Sequence, residues 1–115
     1  MVFAVKCGSK SLSANGSGTI PIDISAGRTF VIKRITFDST GSFNITEIKD
    51  TAANHNYVSG TLKSTCLKNK ANANVMELDS PIEITGDSDL VFNITDTSGS
   101  SNTVDIACWG DETGR

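Results

Sequence analysis

One histidine, three cysteines and a scatter of carboxylates are the chemically versatile side chains of this 115-residue chain. A Ser/His/Asp or Cys/His mechanism would have to run through His55, since such a nucleophile needs a base beside it. His55 lies in Asn54-His55-Asn56, a polar loop without recognisable nucleophile context. Cys7, Cys66 and Cys108 are odd in number and widely spaced, unlike a disulfide framework or a CxxC-type metal site. Cys7 and Cys108 fall in the first and last predicted strands. A bridge is conceivable if those strands are neighbours, but buried free thiols are the expectation. Asp87, Ser88 and Asp89, with Asp79 and Asp96, offer oxygen ligands to calcium. Their spacing matches no EF-hand or repeat-type loop, and Asp in a tight turn ordinarily satisfies its own backbone. Glu47 with Asp50, or Asp111 with Glu112, has the residue types of a glycosidase pair, but nothing in the sequence sets either across a cleft. A sugar site would rely on Tyr57 and Trp109. Three N-x-S/T sequons, at Asn15, Asn44 and Asn93, mean little without a secretory leader. Catalytic residues, a cofactor and a metal are therefore not expected, nor is an enzyme.

The elements that would carry these residues are strands. Ile82 and Ile84, then Leu90, Phe92 and Ile94, then Val104, Ile106 and Cys108 alternate with polar or smaller residues, with Gly, Asp, Asn and Ser between the runs. Such period-two alternation marks half-buried antiparallel strands. Ile20, Ile22 and Ile24 alternate inward, and Pro21 puts that strand on an edge or breaks it there, because proline cannot donate to a ladder. Arg28 to Asp38 is the longest candidate, with apolar residues on both faces near its start and on one later. A strand buried on both sides at one end fits this, and so does a bulge that switches parity. A second bulge is expected between Ile45 and Ile48. Val2 to Cys7 forms the first strand. Gly8 to Gly18 and Ser64 to Asn74 read as long loops, Tyr57 to Leu62 as a short strand, and Asp79-Ser80-Pro81 as a break. The expected fold is all-β: one antiparallel sandwich over residues 1–115, jelly-roll-like, of eight or nine strands. An immunoglobulin-type sandwich is the runner-up, without its usual Cys and Trp spacing.

The formal net charge of −3 builds no basic field for phosphate, so nucleic acid is not an expected partner. Neither a signal peptide nor a long apolar run is visible, so no membrane is expected and cytoplasmic synthesis is.

The segment DSPIEITGDSDLVFNIT, a short polar loop and then VDIACWG resembles small β-sandwich proteins of tailed bacteriophage particles. Tyr57, Ser59, Gly60 and Thr61 look like the middle of the same arrangement, so the resemblance covers about half the chain. It implies a structural role in the virion: a head decoration or cement protein that binds major capsid or other virion proteins, or a neck or fibre module. Such proteins commonly work as cyclic homo-oligomers, and a trimer is favoured. A carbohydrate-binding module is the other reading. The candidate partner surface is Val2, Phe3, Asn15, Lys68, Lys70 and Trp109. Strand addition to the N-terminal edge is the physical route.

Overall fold

A computed structural model describes residues 2–24, 27–70, 73–86 and 88–114, and side chains within that set except those of residues 68–70 and 73. The elements in order are β1 (Val2–Leu12), β2 (Ser17–Asp23), β3 (Thr29–Ser39), β4 (Phe43–Asp50), β5 (His55–Asn56), β6 (Leu62–Lys63), a 3-10 turn (Ser64–Cys66), β7 (Lys68–Lys70), β8 (Ala73–Thr85), β9 (Asp89–Asp96) and β10 (Asn102–Thr113). One sheet has the order β1-β10-β3-β8-β7, and the other β2-β9-β4-β5 with β6 also on β4.

The pairing is nested. The strand pairs β1 with β10, β2 with β9, β3 with β8, and β4 with β5 and β6 are all antiparallel. A long hairpin wound into two facing sheets gives this order, which is the jelly roll. The alternating residues of both sheets meet in one core. Phe30, Phe37, Phe43 and Phe92 are completely or almost completely enclosed, with Ile20, Ile22, Ile32, Ile35, Ile45, Ile48, Ile84 and Leu90 between them. Each such side chain contributes about 1.5–3 kcal/mol by leaving water.

Both expected bulges are present. In β3 the inward set passes from Phe30 and Ile32 to Ile35 and Phe37, with a register shift against β8 between Ile32 and Arg34. The neighbouring β10 shifts between Trp109 and Gly110. The backbones come so close there that a Cβ on Gly110 would lie 1.9 Å from the Val31 carbonyl oxygen. In β4 the shift falls between Ile45 and Glu47. Pro21 lies on β2, an edge strand as expected.

Four expectations are corrected. Strand β1 runs through Gly8 to Leu12, so the first loop shrinks to Ser13–Gly16. Gly8 continues the strand because β2 crosses too close for a side chain: a Cβ would meet Ile20 Cγ2 at 2.5 Å. The second loop contains the 3-10 turn and β7, which pairs with the start of β8. Tyr57 to Leu62 is not a strand: β5 ends at Asn56 and β6 begins at Leu62, and between them Gly60 has a left-handed φ of 92°. Finally, Asp79-Ser80-Pro81 does not end β8. Residues 78–81 arch out opposite Lys33 alone, and pairing resumes at Ile82. The proline lacks a ladder donor and sits where no ladder bond is required.

Candidate interaction surface

The outer face of the β1-β10-β3 sheet is where chemically distinctive side chains converge. Trp109 follows the inward Cys108 and therefore points outward. Its register neighbours are Val5 on one side and Arg34 on the other. The indole N–H donates to Thr36 Oγ1 at 2.8 Å, which fixes the ring. The Arg34 guanidinium lies 4.9 Å from the ring centre, a cation–π contact. Phe3 approaches from β1 with ring centres 6.2 Å apart. Lys33, the residue extruded at the β3 bulge, reaches Asp111 at 2.7 Å. Cys7, Ala107 and Thr36 form the next cross-strand row, over a shallow and mainly apolar depression.

This face is unusually apolar for a surface. Phe3 is 65% exposed and Val5 36%; Val2, exposed at the strand end, has the opposite parity, and Tyr57 is the other large apolar side chain exposed among the described residues. The inward side of β1 is different. Lys6 lies 5.7 Å from the Phe30 ring centre and pairs with Glu112 at 3.0 Å. Glu112 Oε2 is closed to solvent and has this charge contact without an aligned hydrogen bond.

The outer face of the β2-β9-β4 sheet carries hydroxyls, amides and carboxylates. Ser17 and Thr95 share a hydrogen bond of 2.8 Å. The Thr19 hydroxyl donates to Asn93 Oδ1 at 2.6 Å, and Asn93 Nδ2 donates to Glu47 Oε1 at 2.6 Å. At the end of this ladder Asp23 faces Asp89 across the strands. Partial burial and then the neighbouring Asp23 carboxyl raise the Asp89 pKa.

At the far end of β1 a buried carboxylate ties three loops together. Asp96 accepts hydrogen bonds from the Ser98 hydroxyl (2.6 Å), the Asn15 N–H (2.8 Å), Asn102 Nδ2 (3.0 Å) and the N–H groups of Ser98 and Gly99 (both 3.1 Å). These donors, led by Ser98 and Asn15, hold its pKa well below the usual carboxylate range. Both oxygens are committed to N–H and O–H donors, so Asp96 is not placed to bind calcium. Among the described residues no three His, Cys, Asp or Glu side chains group as metal ligands; Asp87 lies outside them.

The other chemical candidates separate. His55 is exposed and stacks edge-on against Tyr57, with ring centres 4.6 Å apart. Partial burial and then Asp50 raise the Tyr57 pKa. Asp50 is buried and accepts from the Ser88 hydroxyl, while Glu47 faces outward on the ladder. Asp111 and Glu112 point to opposite faces and hold different lysines. All three cysteines are free. Strands β1 and β10 are neighbours, but Cys7 faces out and Cys108 in, so they do not bridge. Burial, and then Cys7, push the Cys108 thiol up to about 12. The expectation of buried thiols holds for Cys108 and fails for the exposed Cys7 and Cys66.

Of the candidate partner residues, the structure brings Phe3 and Trp109 together, while Val2 is next to Phe3 in β1 with the opposite parity. Asn15 stands beyond the other end of an eleven-residue strand, about 35 Å away by strand geometry. It caps the β1–β2 turn in a left-handed conformation, with φ 58°. Lys68 and Lys70 lie on β7, the opposite edge of the sheet, and their side chains fall outside the described set. Sequence reasoning missed Val5, Lys33, Arg34 and Thr36. Their link to Trp109 is cross-strand register, which two bulges shift.

No protein-family model matches the chain, and no curated protein does. Solved structures do align with it. A chain of the acid-stable capsid of Helicobacter pylori bacteriophage KHP30 aligns with a TM-score of 0.51 at 8% identity, over 100% of this chain and 95% of that one. A family 29 carbohydrate-binding module aligns at 0.42 and 12% identity, over 90% of this chain and 66% of that one, so this chain spans less than two thirds of the module. The Drosophila NLP core aligns at 0.42 and 16% identity, over 92% and 99%. The chain is thus a β-sandwich with β-rich neighbours that include a phage capsid chain and a carbohydrate-binding module.

Proposed function

We propose that this chain is a non-enzymatic structural protein of a phage particle that decorates the head by seating one outer face on the capsid shell. The observation that carries the reading is the asymmetry of the two faces. One presents Phe3, Val5 and Trp109 with Arg34 beside them; the other presents a hydrogen-bonded polar ladder. Interface centres favour aromatic residues and Arg, and a self-satisfied polar face suits solvent. A phage capsid chain of similar length and fold supports the setting. The partner is then the major capsid protein, the location the virion, and the working form a homo-oligomer, with the trimer expected from the sequence. The test uses particles from which the gene is deleted. Adding the purified chain should saturate their surface and raise their disruption temperature. Particles that neither bind it nor gain stability would refute the reading.

A second reading, a carbohydrate-binding module, draws on the depression lined by Phe3, Lys33, Arg34, Trp109 and Asp111. Arg34 lies over the indole ring that a sugar would stack on, so a sugar would have to displace it. Binding on a glycan array that is lost in Trp109→Ala would favour this reading.

A further inference from the structure

We propose that two copies of the chain join through β1, antiparallel about a twofold axis at Val5, so that the two β1-containing sheets become one. Strand β1 is the edge of its sheet, eleven residues long and without proline. Long, unblunted edges with apolar side chains invite pairing. Three of the four large apolar side chains exposed among the described residues are on it: Val2, Phe3 and Val5. Inward charges normally protect an edge, and Lys6 is such a charge. Its ammonium, however, is drawn back to Glu112 on β10 at 3.0 Å, away from the open edge.

Charge selects the register. In a twofold antiparallel pair, opposed residues point to the same face, so only pairings of like parity keep both cores on one side. Centring the axis on Lys6 sets Lys6 against Lys6, and centring it on Gly8 sets Lys6 against Lys10. Like charges directly opposed are destabilising. Centring on Cys7 sets Phe3 against Ser11 and Val5 against Ser9. Centring on Val5 opposes Val5 to itself and Phe3 to Cys7, and it leaves exposed Lys10 outside the pair. Of the registers that pair seven or more residues of β1, that one alone groups the apolar side chains with one another.

The pair also doubles the apolar outer face, and a shell would then be held at two points with a gain in avidity. In this respect the inference rests on the decoration reading, yet the two fail separately. Capsid binding by a strict monomer would leave the capsid contact of that reading standing, remove its oligomer and overturn this proposal.

Light scattering on the full chain from micromolar to submillimolar concentration should move from 12.1 kDa to twice that mass. Val5→Lys should weaken the dimer by about a hundredfold, from two opposed ammonium groups, with a melting curve unchanged at concentrations where the wild type is monomeric. Thr19→Lys, on the other sheet, should leave it intact. In a Cys7→Ser, Cys66→Ser background, Val5→Cys should form a covalent dimer on mild oxidation, and Ser9→Cys should not. A monomer throughout, a trimer indifferent to Val5→Lys, or disulfide formation through native Cys7 in place of Val5→Cys would overturn the proposal.

Discussion

The two outer faces are built on the same backbone plan and differ in what their side chains are committed to. On the β2-β9-β4 face, Ser17, Thr19, Asn93 and Glu47 hold one another in hydrogen bonds of 2.6–2.8 Å. On the β1-β10-β3 face, Trp109 is fixed by Thr36 and Arg34, while Phe3 keeps about two thirds of its surface in water. Fixed aromatic anchors lose little freedom on docking, and unsatisfied apolar surface gains by it. A jelly roll needs alternation on its inner faces alone, so its outer faces are free to diverge. Here one has diverged toward contact and the other toward solvent.

The largest effect should come from the bulge that sets up the contact face. Gly110→Ala places a Cβ against the Val31 carbonyl and should cost about 3 kcal/mol or more of stability by urea titration. A near-neutral result would mean that Trp109 does not depend on this close approach. Next, Phe3→Ala should weaken capsid binding by about thirtyfold while changing stability by less than about 0.5 kcal/mol, because the ring is mostly exposed. Asn93→Ala should do the reverse. It removes two ladder bonds worth about 1 kcal/mol each and should leave binding unchanged. If the two variants exchanged effects, the faces would have exchanged roles.

Both faces share the Asp96 knot, which joins β9 of one sheet to Asn102 at the start of β10 in the other. Its carboxyl is depressed in the fold, so its stabilisation is fully present above the ordinary carboxylate pKa and fades as pH falls through the lower folded value. Asp96→Asn should therefore flatten the acid limb of a stability–pH curve. An unchanged limb would remove Asp96 as its cause. The smallest effect belongs to Asp89, whose pKa is raised first by partial burial and then by the neighbouring Asp23 carboxyl. The sign is opposite: its favourable contribution lies at low pH and is lost as pH rises through the raised value. Asp89→Asn should raise the melting temperature slightly at neutral pH and leave it unchanged in acid.

Much of the scaffold was legible because it follows from local pattern. The inward sets Ile20/Ile22, Leu90/Phe92/Ile94 and Val104/Ile106/Cys108 were visible as alternation, and both bulges as changes of parity. Gly8 to Leu12 and Lys68 to Lys70 were not, since their composition is that of loops and tertiary pairing overrides it. Of the surface, Trp109 and Phe3 could be named, but their convergence depends on β1–β10 adjacency. Arg34 meets the indole only because the bulges reset register. Only the Ser98 and Gly99 half of the Asp96 knot is local; its donor Asn15 lies 81 residues away and left no signal in the pattern.

The central claim is that the Phe3–Trp109 face, and not the polar ladder, meets the shell. Binding of the wild-type chain, Phe3→Glu and Thr19→Glu to gene-deleted capsids tests it most directly. The account predicts that Phe3→Glu abolishes binding and that Thr19→Glu binds as wild type. Loss of binding in Thr19→Glu with retention in Phe3→Glu would contradict it.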